Sequence, residues 1–224
     1  MSTVFITSTG TDIGKTFVAA GLIRHFRRVG QPVDAIKPIV SGFDPTAVAA
    51  SDPGVLLAGL GRTISPEEIE RVSPWRFRAA LAPDLAAARE GRTLDFDAIV
   101  EFSRRAMAAH KGALLIEAVG GIMVPLAGRR TVLDWLTLLR VPALLVVGSY
   151  LGTISHTLTA LHVLAQRKLD IAAIVVSESE GSPVPLDDTT GTIARFAEGF
   201  EVIGIPRLPR GADHLAFGRI AQLF

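Results

Sequence analysis

Short apolar runs, uninterrupted by charge, alternate along this chain with longer stretches of helical spacing. Residues 4–7, 33–39, 113–117, 143–147, 171–176 and 202–205 are rich in β-branched side chains and read as strands. Between them, residues 16–29, 95–110, 153–168 and 187–198 repeat apolar positions at helical intervals, with Asp95 placed to cap the second. Pro83 and Asp84 open a further helix through Ala88. Strands that alternate with helices imply an α/β fold, a parallel sheet with helices on both faces. Because the strand runs are apolar throughout, all six are expected to be interior strands covered on both sides. The segment from 44 to about 83, rich in Pro, Gly and Ser, reads as a long excursion over one edge of the sheet.

Composition narrows the class of protein. With 224 residues, 49% of them hydrophobic, the chain can bury its own core, and one domain spanning 1–224 is expected. Lys plus Arg number 23 against 22 Asp plus Glu, so no global field points to nucleic acid or a membrane surface as partner. Arg24, Arg27 and Arg28 read as the solvated face of a helix. Cysteine is absent, which excludes disulfides, thiolate catalysis and cysteine-bound metals and is compatible with the cytoplasm. No apolar run is long enough to span a bilayer and no signal-type segment is expected.

The chemistry is concentrated after the first strand. Ser8-Thr9-Gly10-Thr11-Asp12-Ile13-Gly14-Lys15-Thr16 lies between an apolar strand and a helix, the context of a phosphate-binding loop. Gly10 and Gly14 allow the backbone to curl around an anion. Lys15 brings an ammonium to the β- and γ-phosphates, and the Thr16 hydroxyl is of the type that ligates Mg²⁺. The match to G-x-x-x-x-G-K-[ST] is not clean: Thr9 stands where the first glycine belongs, and Gly10 comes one place later.

In an open parallel sheet, ligands gather beyond the carboxyl ends of the strands. Two charged residues sit there. Glu117 ends the third strand, ahead of Gly120-Gly121, and is the leading candidate for a second Mg²⁺ contact. Lys37 ends the second strand, where it either stabilises charge in phosphoryl transfer or snorkels to solvent. Asp52 is a further metal candidate, although Ser51-Asp52-Pro53-Gly54 fits a helix cap or a turn equally well. Ser41 either donates to an anion or begins a turn with Gly42. Trp75 and Trp135 read as packing residues, and none of the five histidines is given a catalytic role.

Taken together, these segments resemble the dethiobiotin synthetase family of the P-loop NTPase superfamily over nearly the whole chain. The family loop G-T-D-T-x-V-G-K-T aligns without gaps on residues 8–16, and K-P-x-x-S-G matches Lys37-Pro38-Ile39-Val40-Ser41-Gly42. Ser73-Pro74-Trp75-Arg76-Phe77, Ala82-Pro83 and Glu117-Ala118-Val119-Gly120-Gly121 are similar to N-P-Y-x-F, S-P and E-G-A-G-G. The stretch from Val147 to His156 resembles V-G-x-x-L-G-T-I-N-H, and Gly204-Ile205-Pro206 matches the late strand end. The resemblance implies an ATP- and Mg²⁺-dependent ligase that joins CO₂ to 7,8-diaminopelargonic acid and closes the ureido ring in biotin biosynthesis. It assigns charge stabilisation to Lys15 and Lys37, carbamate or substrate contacts to Thr11, Ser41, Gly120 and Ser155, and Mg²⁺ to Thr16, Asp52 and Glu117. Nucleotide contacts fall to Asp12, Ile13, Gly14, Lys15, Thr16, Ser177 and Pro206. It further implies a homodimer with the substrate tail near the subunit interface.

The chain departs from the family pattern at Ser8 for glycine, at Ala118 and Val119 for glycine and alanine, at Tyr150 for a basic residue and at Ser155 for asparagine. Ser177 stands where the family commonly reads adenine with an asparagine, which implies weak discrimination among nucleoside triphosphates. Two other enzyme-like readings share the loop. A cobyrinic acid diamide synthase-type ligase normally adds a cysteine-dependent glutaminase, and this chain has no cysteine. A partition-type switch ATPase carries an additional lysine early in its loop, which is absent from Thr9-Gly10-Thr11-Asp12. A degenerate relative that binds nucleotide without turning it over is the third alternative.

Overall fold

The computed structural model describes residues 2–209 and 211–224. The chain runs β1 (Ser2–Ser8), α1 (Lys15–Arg28), β2 (Val33–Ile36), β3 (Ile39–Ser41), α2 (Asp52–Leu60), α3 (Pro66–Val72), β4 (Trp75–Phe77), α4 (Pro83–Arg89) and α5 (Phe96–Ala109). It continues through β5 (Ala113–Glu117), β6 (Pro125–Ala127), β7 (Arg130–Thr131), α6 (Val132–Leu139), β8 (Ala143–Val147), α7 (Thr153–Gln166), β9 (Ile171–Ser177), α8 (Leu186–Phe196), β10 (Val202–Ile205) and α9 (Leu215–Ala221). Six strands form one parallel sheet in the order β10-β9-β8-β1-β5-β2.

Alternation along each strand divides the core between the two faces. Val4 and Ile6 enter one layer with Val18, Leu22 and Ile23 of α1, Leu56 and Leu57 of α2, and Phe217 of α9. Phe5 enters the other with Ile99 of α5, Trp135 and Leu136 of α6, and Leu164 of α7. The indole of Trp135 meets Phe5 edge-on at 4.8 Å and donates to the Ser103 hydroxyl at 3.1 Å, so its one polar atom is satisfied in the interior. Each fully buried side chain of this size contributes about 1.5–3 kcal/mol of transfer free energy. The packing roles expected of Trp75 and Trp135 hold, since Trp75 stacks edge-on against Phe102.

Four expectations are corrected by the structure. The second strand stops at Ile36 instead of running to residue 39, because Pro38 has no N–H for the ladder and the chain leaves the main sheet there. Beyond the break, β3 pairs in parallel with β4 in a separate two-stranded sheet. The excursion carries two helices: Ser51 caps α2 by accepting from the Gly54 N–H, and Ser65 caps α3 by accepting from Glu68, each ahead of a first-turn proline. Its Ser and Pro content therefore marks helix starts, not irregular loop. The six strands are not all interior: β2 and β10 are the sheet's two edges, and Val33 and Val202 there are only half-buried. Finally, one of the α1 arginines departs from the solvated face: Arg24 is half-buried and donates to the Ala212 carbonyl, whereas Arg27 and Arg28 are exposed as expected, Arg27 donating to the Gly59 carbonyl and Arg28 pairing with Asp213.

Candidate active site

β1 lies at the point where the sheet order reverses, with β5 on one side and β8 on the other, and its carboxyl end delivers the loop that precedes α1. The register sets Glu117 opposite Ile6, so the carboxylate that ends β5 stands beside the start of that loop. The loop enters α1 through Gly14 at φ +107°, in the left-handed region that an L side chain resists. A Cβ at Gly14 would also meet the Ser177 hydroxyl at 2.5 Å. A second close approach fixes the far wall: a Cβ at Gly121 would lie 3.0 Å from the Thr9 carbonyl carbon. Asp12 is left-handed at φ +57°, a conformation that Asp tolerates better than most residues.

Lys15 is buried under the loop. Its Nζ donates to the Ser8 hydroxyl at 3.0 Å and to the Gly10 carbonyl at 3.1 Å. Burial, and then the nearby charge of Lys37, brings its pKa down to about 8, while Glu117, Asp52 and Asp12 pull the other way. An anion bound in the loop acts in the same sense as those carboxylates and restores the charged form.

Lys37 is the hub of the adjacent cluster. Its Nζ donates to Glu117 Oε1 at 2.7 Å, approaches the Thr16 hydroxyl at 3.5 Å and forms an ion pair with Asp52. Thr16 donates to the same Glu117 oxygen at 2.6 Å. Lys37 and Glu117 are 5% and 1% exposed, so these charges are almost wholly withdrawn from water. Burial lowers the lysine pKa, but Glu117 and Asp52 more than offset it and the net shift is upward. Asp52 is raised by burial and lowered by Lys37, with the lysine prevailing. Removing one partner from a buried pair of this kind costs about 3–5 kcal/mol, because the remaining charge is left uncompensated. The backbone of Lys37 is fixed as well: its N–H donates to the Val72 carbonyl at 3.1 Å, and its carbonyl accepts from the buried Ser73 hydroxyl.

The local ambiguity at Asp52 is resolved by its neighbour. Ser51 is the cap, and Asp52 is the first residue of α2 with its carboxylate on Lys37. The donors present suit Mg²⁺. Among the described residues no three His, Cys, Asp or Glu side chains converge into an all-protein metal cage. Mg²⁺ characteristically takes one or two carboxylates and completes its shell with phosphate oxygens and water. Two carboxylates and a hydroxyl converge here, and Glu117 Oε2 is buried with no protein partner.

Thr11, Asp12, Ile13, Gly14, Lys15, Thr16, Lys37, Ser41, Asp52 and Gly120 line one cavity of about 530 Å³. The Ser41 hydroxyl in it is buried and makes no hydrogen bond within the protein. Apolar residues complete its lining: Val40, Ala82, Pro83 and Val119 fall within the family-like segments, whereas Ala80, Leu81 and Val124 were not singled out from the sequence. Four predicted residues are not part of the cavity lining: Glu117 is buried against Thr16 and Lys37, and three others lie elsewhere. Ser177 ends β9 against Gly14, Pro206 follows β10, and Ser155 is exposed in the first turn of α7. Near Ser155, the Tyr150 hydroxyl meets His156 Nδ1 at 3.0 Å and Leu151 is 90% exposed. Sequence reasoning also missed two positioning residues. Ser8, which reads as a departure from glycine, holds Lys15, and Ser73 holds the backbone of Lys37.

The sheet order, the loop geometry and the buried lysine define a P-loop nucleotide-binding protein. A family model described as "AAA domain" matches residues 2–211. MinD cell-division ATPase of Pyrococcus furiosus is similar in fold, with a TM-score of 0.55 at 16% identity over 100% of this chain and 98% of that one. The MinC:MinD complex of Aquifex aeolicus gives 0.57 at 14% identity over 99% of this chain and 86% of that one. Sequence relatives are much nearer. The ATP-dependent dethiobiotin synthetase BioD of Methylobacterium nodulans is 48% identical over 213 residues, 92% of this chain and 94% of the relative. Those of Caulobacter vibrioides, 49% identical over 92% and 93%, and Acidiphilium cryptum, 46% over 87% and 88%, carry the same name. The chain belongs to the dethiobiotin synthetase family.

Proposed function

We propose that this protein is an ATP- and Mg²⁺-dependent dethiobiotin synthetase that carboxylates 7,8-diaminopelargonic acid with CO₂ and closes the ureido ring. The observation that carries this reading is the mixed lining of the cavity. Lys15, Lys37 and the unpartnered Ser41 hydroxyl line it together with apolar Ala80, Leu81, Ala82, Pro83, Val119 and Val124, which suit an aliphatic chain.

The reaction has three bond-forming steps. One amine attacks CO₂ and loses a proton, giving a carbamate. A carbamate oxygen attacks the γ-phosphorus of ATP, the bond to the ADP oxygen breaks, and a carbamic-phosphoric anhydride results. The second amine then attacks the carbonyl carbon, phosphate leaves with the electron pair, and the five-membered ring closes. The middle step brings two anions together, so its barrier is dominated by charge. Lys15 meets the phosphates from beneath the loop, with its ammonium held by Ser8 and Gly10. Lys37 supplies the second positive charge from the end of β2. The hydroxyls of Thr11 and Ser41 orient the carbamate, with Gly120 beside them. Thr16, Asp52 and Glu117 hold Mg²⁺, which when bound neutralises charge on the transferring phosphoryl group. Both amines belong to one molecule, so ring closure is intramolecular and gains from proximity.

Nucleotide contacts beyond the loop are assigned to Asp12, Ile13, Ser177 and Pro206. The protein is assigned as a homodimer, with Ser155 near the start of α7 receiving the substrate tail across the subunit interface; the exposure of Ser155 supports this reading. A cytoplasmic setting fits the absence of cysteine. No helix among the described residues is long and apolar enough to cross a membrane.

The test is ADP release by purified protein with Mg-ATP and bicarbonate, with and without 7,8-diaminopelargonic acid. Diamine-dependent release with dethiobiotin formed in step is the expected result. Diamine-independent hydrolysis, or none, overturns the reading in favour of a switch ATPase or a degenerate nucleotide binder.

A further inference from the structure

Lys37 has three N–H donors, and three protein groups surround them: Glu117 Oε1 at 2.7 Å, the Asp52 carboxylate, and the Thr16 hydroxyl at 3.5 Å. These are the same three side chains assigned above to the divalent cation. The cluster therefore has one set of carboxylates and two cations that fit it, one of them covalently tethered. Lys37 holds Glu117 Oε1 and Asp52 Oδ2 and leaves Glu117 Oε2 unpartnered, so a divalent cation drawn to the same two carboxylates would stand within a few ångströms of the ammonium, and like charges that close, beside a buried carboxylate, repel. Lys15 is not drawn into this competition, since its ammonium is fixed by Ser8 and Gly10. Lys37 also has somewhere to go: it lines the cavity that holds the unpartnered Ser41 hydroxyl and Thr11.

We propose that Lys37 is the resident counter-ion of the divalent-cation ligand set, and that metal entering with nucleotide displaces its ammonium into the cavity, where the carbamate is received. The inference rests on the proposed function in taking Thr16, Asp52 and Glu117 as the metal's protein ligands and the cavity as the place of the carbamate. Its consequence is an order of events. In the nucleotide-free protein the ligand set is already neutralised by Lys37, so free metal binds weakly. With nucleotide present, phosphate oxygens add to the metal's shell and the exchange becomes favourable. The charge that steadies the carbamate is released by the same event that loads the phosphoryl donor, so Lys37 is coupled to metal occupancy and is not a static fixture.

The exchange is tested by Mn²⁺ binding, followed through water-proton relaxation enhancement, for the wild type and Lys37→Met without nucleotide, and for the wild type with adenylyl imidodiphosphate. Lys37→Met is expected to bind Mn²⁺ at least about tenfold more tightly than the wild type in the absence of nucleotide, a difference of about 1.4 kcal/mol. Equal affinities for the two proteins, with tight binding by the wild type plus nucleotide, overturn the exchange and leave the ligand set standing. No binding by any of the three overturns the ligand set and the exchange with it. Should Lys37→Met fail to fold, the ammonium itself decides. The ¹⁵N resonance of the Lys37 ammonium, identified by its loss in Lys37→Arg, is expected to shift when Mg²⁺ and the nucleotide analogue are added together but not with Mg²⁺ alone. An unchanged resonance under both conditions overturns the proposal.

Discussion

The phosphate loop and the loop leading into α7, the proposed ends of the substrate site, are built differently. At the phosphate loop, Lys15, Lys37 and Glu117 are buried, and each is fixed by hydrogen bonds to side chains or backbone that are themselves held. At the loop leading into α7, Leu151 is 90% exposed, Ser155 is exposed, and the side chains of Tyr150 and His156 hydrogen-bond to each other. The difference follows from the chemistry. Electrostatic stabilisation of a phosphoryl transfer requires charges that are in place before the transfer begins: Lys15 is held throughout by Ser8 and Gly10, and Lys37 is repositioned with the metal ahead of that step. Recognition of a flexible tail tolerates loose contacts, and an exposed apolar side chain beside a helix start is suited to completion by another surface.

The contrast can be broken first at Lys15. Lys15→Met is expected to weaken nucleotide binding by at least about a hundredfold in calorimetric titration, since it removes a charge-assisted contact from inside the loop. Lys37→Ala is expected to lower kcat by about 10²–10³ while nucleotide affinity stays within about threefold. Unchanged turnover would remove its charge role. Gly14→Ala sets a Cβ against the Ser177 hydroxyl and imposes a left-handed alanine, which costs about 1–3 kcal/mol. Thermal melts should record that loss, and Ser177→Ala in the same chain should recover only part of it, because the backbone strain remains. At the open end, Ser155→Ala is expected to raise KM for the diamine only a few-fold with kcat preserved, as expected for a lost exposed hydrogen bond of about 1 kcal/mol. The smallest difference concerns the base. With serine at position 177, kcat/KM for CTP or GTP should lie within about tenfold of that for ATP, and Ser177→Asn should widen the gap. Strict ATP dependence in the wild type would discard that idea.

Much of this was legible in the sequence because strand runs and loop motifs are local. The strand before Gly10, the Lys15-Thr16 pair and the carboxylate ending β5 each follow from a few consecutive residues. What sequence reasoning missed depends on distant neighbours. Ser51-Asp52-Pro53-Gly54 is compatible with a cap, a turn or a metal ligand, and only the position of Lys37 decides which way Asp52 faces. Ser8 reads as a blemish in the motif until the Lys15 ammonium is found on its hydroxyl. The helices α2 and α3 were hidden by their own start signals, since Ser and Pro clusters serve turns and caps alike. One signal was available and unused. Thr131 and Asp134 form the reciprocal capping box that opens α6, a pattern written in the sequence as T-x-x-D.

The position of β1 has a consequence for how the enzyme fails. Bonded to a strand along each edge and buried on both faces, it belongs to the most protected part of the sheet. Amides there exchange with solvent only when the molecule opens globally, so the exchange rates of residues 4–7 should report the full unfolding free energy. The catalytic loop is spliced directly to that strand. Heat should therefore abolish nucleotide binding in step with overall melting of the protein.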